Sequence, residues 1–278
     1  MAKAEELPSE LQDEIFSLVA SDLRCVPNIA LVDKRVNESL LSDFYSTVEL
    51  TSIKQLTKFL QLNRPKVTTL TILSMSRDYE LGLVCLPEKC PNIRRLTLYD
   101  IPYDPTFCDN FEKMHQLQVV SFEHASNFGL RMEPDEYGRA PILKSLTHLD
   151  CGYITPWADS ECPCDISPSS FPNLSHVSFE VTFFDPEDYM GIISAVLKCL
   201  NLPALKRLIL RFGLNDDTVT WCSSSPWVQK QTADPRVVCL RLPYRDPFSV
   251  GDRFKFLDQV WALGEQEYSN NVTALKKL

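Results

Sequence analysis

Six side chains could do chemistry together: Arg95, His148, Asp150, His176, Arg207 and Arg241. Imidazole and carboxylate can ligate a metal or carry a proton, and arginine offers a two-pronged fork to carboxylate or phosphate. A metal centre needs three or four ligands, and His148, Asp150 and His176 have no further ligand at a suitable spacing. Cys162-x-Cys164 with Cys151 and His148 matches none of the paired Cys-x-x-Cys frameworks of zinc sites. Glycine occurs only 8 times, and there is no phosphate-cradling loop, dinucleotide fingerprint, nucleophile elbow or HExxH pair. Asp216-Asp217 and Asp135-Glu136 sit among loop residues as solvated charge rather than as an acid and base pair. The expectation is a chain that is not an enzyme and uses neither cofactor nor metal.

Composition narrows the function class. The 278 residues are 44% hydrophobic and 23% charged, which is enough apolar material for a substantial core. A formal charge of −9 argues against a general binder of nucleic acid or of anionic membranes. The opening Met-Ala-Lys-Ala-Glu-Glu carries no apolar leader, and no run of about 18 apolar residues could span a bilayer. A cytoplasmic or nuclear location is expected, in which the ten cysteines stay reduced.

The elements that must position the six side chains are repeats. The pattern apolar-x-x-apolar-x-apolar recurs at Tyr45, Val48, Leu50; Val67, Leu70, Ile72; Ile93, Leu96, Leu98; and Leu117, Val120, Phe122. Four further copies follow at Leu146, Leu149, Cys151; Leu174, Val177, Phe179; Leu205, Leu208, Leu210; and Val237, Leu240, Leu242. Their spacings of 22, 26, 24, 29, 28, 31 and 32 residues fit units that each bury an apolar face on their neighbours. Side chains alternate across a strand, so the intervening residues face away from the core. One such row reads Thr69, Arg95, Val119, His148, His176, Arg207 and Cys239; the next reads Thr71, Thr97, Ser121, Asp150, Ser178, Ile209 and Arg241. Arg95, His148, Asp150, His176, Arg207 and Arg241 are thereby the candidate client-binding residues on a concave surface, suited to an acidic or phosphorylated peptide. A solvated face without a partner fits the same pattern.

Between strands, Ser52 can cap a helix with Ile53, Leu56, Phe59 and Leu60 inward, and Asp185-Pro186 can start another through Val196, Leu197 and Leu200. Residues 126 to 142 and 154 to 172 read as long loops. Phe254, Leu257, Val260 and Trp261 predict a C-terminal helix that caps the last repeat and hides an open sheet edge.

Residues 1–45 have a different character. They carry four basic and nine acidic residues, and Ser9 with Gln12 forms a capping box for a helix with Leu11, Ile15, Leu18 and Val19 on one face. A second short helix holds Leu31, Val32, Val36 and Leu40. A segment this small cannot bury enough surface alone and needs cover from the rest of the chain or a partner.

The run Leu7-Pro8-Ser9-Glu10-Leu11, followed by Ile15, Leu31 and Val32, resembles an F-box, and the repeats resemble degenerate leucine-rich repeats. Together they look most like the F-box and leucine-rich-repeat proteins numerous in mushroom-forming fungi. The resemblance implies that Leu7, Pro8, Leu11, Ile15, Leu31 and Val32 contact the adaptor protein of an SCF-type (Skp, cullin and F-box) ubiquitin ligase. The chain would then be a substrate-recognition subunit that holds a client protein, of unknown identity, on its repeats. The alternative is a repeat scaffold without a ligase role, whose N-terminal hairpin is a cap. The expected fold is α/β, with a helical F-box-like module at 1–45, a solenoid with a parallel sheet at 46–250, and a capping helix and tail at 251–278.

Overall fold

The computed structural model describes residues 46–61, 66–72, 85–99, 111–123, 130–131, 142–154, 164–181, 196–213, 234–242 and 253–275. The expected adaptor contacts Leu7, Pro8, Leu11, Ile15, Leu31 and Val32 lie outside the described residues. The described residues form a fold of the α/β class.

Eight strands form one sheet: β1 (Thr47–Leu50), β2 (Thr69–Ile72), β3 (Arg95–Tyr99), β4 (Val119–Glu123), β6 (His148–Ile154), β8 (His176–Val181), β9 (Arg207–Gly213) and β10 (Val237–Leu242). They lie side by side in sequence order, and every pairing is parallel. β5 (Leu130–Arg131) and β7 (Cys164–Asp165) form a separate parallel pair. The two segments expected as plain loops thus pair with each other through β5 and β7.

The first seven apolar triplets fall on β1, β2, β3, β4, β6, β8 and β9, and their described members pack into one core on a single face of the sheet. Leu70, Leu96, Leu149, Leu174, Val177 and Leu208 are fully buried there. The turn before five of these strands, β3, β4, β6, β8 and β9, repeats as well. Ile93, Leu117, Leu146, Leu174 and Leu205 each donate a backbone N–H to the carbonyl three residues upstream. The next two N–H groups then share one carbonyl of the preceding unit, as Arg94 and Arg95 do with Thr68, and Ser175 and His176 with Thr147. This satisfies the backbone where a tight turn would otherwise bury unpaired donors.

α1 (Ile53–Leu60) starts as its sequence predicts. The Ser52 hydroxyl accepts from the Gln55 N–H at 3.3 Å, the Gln55 side chain accepts from the Thr51 N–H at 2.6 Å, and Leu56 and Phe59 are buried. α2 (Leu86–Lys89) buries Leu86 and carries proline within its first turn. Residues 196–200 are helical with Val196 and Cys199 buried; the expected start at Asp185-Pro186 lies outside the described residues.

β10 corrects the expected register. Val237 pairs with Leu208 and Cys239 with Leu210, so the last unit is shifted by three residues from the Val237, Leu240, Leu242 triplet. Val237 joins the main core, while Leu240 faces the opposite side with Val238 and Ile209. The shift also relocates Arg241, which pairs with the core residue Phe212 and is exposed on that face, away from Arg207.

α3 (Arg253–Leu275) packs against β9 and β10. It does more than cap an edge. Phe256 meets the Arg211 guanidinium, Gly264 abuts Ile209 and Tyr268 meets Arg207, so the helix also covers part of the sheet's second face. Leu257, Val260 and Trp261 are buried there. None of the described helices is long and apolar enough to cross a membrane.

Candidate functional site

The second face of the sheet carries the two expected rows as far as β9. Thr69, Arg95, Val119, His148, His176 and Arg207 are successive pairing partners, as are Thr71, Thr97, Ser121, Asp150, Ser178 and Ile209. Cys239 and Arg241 leave the rows through the shift at β10. Five of the six candidate client-binding residues are therefore brought onto one face, and Arg241 is not.

The face is not a bare polar surface. Every member of the inner row is buried, with Asp150 and Ser178 at 0% exposure. Asp150 accepts from Arg211 Nη2 at 2.7 Å and from the Ser121 hydroxyl at 2.8 Å. Arg211 is itself only 2% exposed, and its Nη1 lies 3.7 Å from Glu180. Asp150 and Arg211 are on β6 and β9, with β8 between them. That gap of about 10 Å is within reach of an arginine, and the small Ser178 leaves space above β8. A one-residue irregularity in β6 follows Asp150, where Gly152 adopts φ 53°, and Tyr153 rather than Gly152 pairs with Glu180. Glycine takes that conformation without Cβ strain.

The outer row is held by α3. Arg95 makes a bidentate pair with Asp258 at 2.5 and 3.1 Å. Glu265 accepts from Arg207 at 2.6 Å and from His176 Nε2 at 3.1 Å. Arg207 also lies 3.3 Å above the Tyr268 ring, in cation–π geometry. His148 and His176 stack with centroids 4.3 Å apart and planes 5° apart, and Trp261 meets both edge-on at 5.3 and 6.0 Å. The two imidazoles thus sit on adjacent strands as the repeat register requires.

Burial lowers the His148 pKa to about 4, helped by the His176, Arg95 and Lys206 charges and opposed by Asp258. Burial lowers His176 too, against its hydrogen bond to Glu265. Burial pushes Glu265 up, but hydrogen bonds from His176 and Arg207 outweigh it and hold the carboxyl below its ordinary range. With His176 neutral, its Nε2–H donates to Glu265 and Nδ1 accepts from the Ser175 hydroxyl, 2.8 Å away.

A depressed pKa makes the unfolded chain bind more protons, so this contribution is present above the ordinary histidine pKa of about 6.5 and is lost as pH falls toward 4. The urea midpoint should therefore drop between pH 7 and pH 5, and drop less in His148→Phe, which keeps a stacking ring but cannot be protonated. An unchanged midpoint between the two pH values would contradict the assignment.

Among the described residues no group of three or more His, Cys, Asp and Glu side chains could hold a metal ion. Cys162 lies outside the described residues, Cys164 is in β7, and Cys151 is buried in the main core. Burial likewise pushes the Cys239 thiol up to about 11. Asp150 and Arg211 form a buried pair, and Arg95, His176 and Arg207 bond to α3.

The sequence reading placed Trp261 in the capping helix without its contact to this face, and missed Asp258, Glu265 and Tyr268. Their signal is a stripe with steps of three, four and three residues, which stays on one side of a helix. It carries two acids and two aromatics against a row of arginines and histidines. No protein-family model matches the chain, and comparison with curated proteins finds no match.

Proposed function

We propose that this chain is a non-catalytic substrate-recognition subunit of an SCF-type ubiquitin ligase, with an F-box-like module at 1–45 and a degenerate leucine-rich-repeat solenoid behind it. The observation that carries the reading is the coincidence of repeat and strand. Seven copies of the apolar triplet fall on seven parallel strands in sequence order, and five of these strands are entered by turns that hydrogen-bond alike. Such stacked units offer extended surfaces for protein partners. The resemblance of Leu7, Pro8, Leu11, Ile15, Leu31 and Val32 to an F-box supplies the assembly: these residues dock the adaptor, the repeats hold the client, and other subunits transfer ubiquitin.

Replacing both Leu11 and Ile15 with Asp in the full chain is expected to abolish capture by the adaptor while leaving the thermal unfolding transition in place. Loss of the transition would instead make these residues part of the chain's own core. Undiminished adaptor capture would remove the F-box reading.

A further inference from the structure

We propose that the stacked His148 and His176 form a two-step proton switch beneath α3: the pair accepts one proton with the helix in place, and the second proton loosens the helix from the sheet. The ring planes are 5° apart with centroids at 4.3 Å, so two imidazolium charges would lie face to face at contact distance. Like charges this close separate the two protonation steps.

Each ring has the same kind of neighbour at Nδ1. Thr147 Oγ1 is 2.9 Å from His148 Nδ1 and 3.1 Å from the Gln118 carbonyl, and Ser175 Oγ is 2.8 Å from His176 Nδ1 and 3.1 Å from the Thr147 carbonyl. A hydroxyl has a single hydrogen to give. While Nδ1 is unprotonated the hydroxyl donates to the ring; once Nδ1 carries a proton the ring donates to the oxygen, and the hydroxyl hydrogen turns to the carbonyl of the preceding unit. Either ring can therefore be protonated at Nδ1 and keep that bond.

The surrounding charges decide the order. Glu265 on α3 receives the His176 Nε2–H at 3.1 Å and favours a charge there, against Arg207 on β9 and Lys206 just before it. His148 is faced by Arg95 on β3, by Lys206 and by His176 itself, while Asp258 on α3, the carboxylate that favours its charge, is engaged by both Nη atoms of Arg95. The first proton goes to His176. A second, on His148, is placed among cations, and burial adds to its cost. Trp261 of α3 lies against both rings, so lifting the helix lets water reach the pair and relieves that cost. The apolar contacts of α3 form a cluster separate from the main core, which leaves the sheet able to stay folded.

This switch is independent of the ligase reading. Its test is a pH titration of the full chain by NMR of its four imidazoles, with amide hydrogen exchange read on the same samples. Two steps are expected, His176 first as pH falls and His148 at about 4. The opening of residues 253–275, corrected for the intrinsic exchange rate, should rise about twentyfold between pH 7 and pH 5, because His148 titrates near 6.5 once the helix has lifted. β2, β3 and β4 should keep their protection. His176→Phe retains a ring in the stack without the charge and should move the His148 step upward. Glu265→Gln leaves the stack untouched, should move the His176 step downward, and keeps the test open if the first variant does not fold. Both histidines titrating together near 6.5, α3 protection that ignores pH, or steps that stay in place in the folded variants would overturn the inference.

Discussion

Asp150→Ala should destabilise the folded chain by about 3–5 kcal/mol, the usual cost of leaving one member of a buried ion pair without its partner. The size follows from the surroundings of Arg211. Its side chain is 2% exposed, its Nη2 donates to Asp150 at 2.7 Å, and Glu180 lies 3.7 Å from Nη1, beyond hydrogen-bond distance. Removing the carboxylate leaves a buried guanidinium beside Ser178, Phe256 and a Ser121 hydroxyl that has lost its acceptor. Water has little access to this place, because Asp150, Ser121 and Ser178 are all at 0% exposure. Equilibrium urea denaturation reads the effect directly. Replacing Asp150 and Arg211 together by apolar residues of similar volume should recover most of the loss, since the pair's desolvation cost offsets much of its attraction. A loss below about 1 kcal/mol in Asp150→Ala would mean that the carboxylate is not the anchor of this face.

Trp261→Ala should cost about 3–5 kcal/mol of the free energy that seats α3, the range for truncating a buried aromatic. Trp261 is 8% exposed and touches both stacked imidazoles, so its removal opens a gap that the aromatic edges of His148 and His176 cannot close. The loss should be confined to α3. Its apolar contacts form their own cluster, whereas the triplets of β2, β3, β4, β6, β8 and β9 lie in the main core on the other face. Amide hydrogen exchange distinguishes these regions: protection should fall in residues 253–275 and persist in the strands. Uniform loss of protection would show that helix and sheet unfold as one unit.

The core was legible in the sequence because strand geometry is local. In apolar-x-x-apolar-x-apolar the last two positions must share a face, and Leu96 with Leu98, or Val177 with Phe179, could point only inward together. The same rule failed at β10. Val237-Val238-Cys239-Leu240-Arg241-Leu242 has apolar residues at both parities, so the triplet can be matched in either phase, and pairing with β9 decides. That choice removed Arg241 from the predicted surface and brought Leu240 to it.

The occupant of the second face was not legible for a different reason. An amphipathic helix announces an apolar side but not its address. Asp258 and Glu265 look like ordinary solvated charge until Arg95, His176 and Arg207 are aligned by strands from units far apart in sequence. Nothing in the sequence marks Arg211 as buried, because its burial depends on α3 above it and on the small Ser178 beneath its path.

The central claim is that residues 1–45 dock a ligase adaptor, and the most direct measurement is co-expression of the full chain with the SCF adaptor followed by size-exclusion chromatography. A stable one-to-one complex that is lost when residues 1–45 are removed is the predicted result. A folded chain that always elutes apart from the adaptor would contradict the account and leave a repeat scaffold with an N-terminal cap.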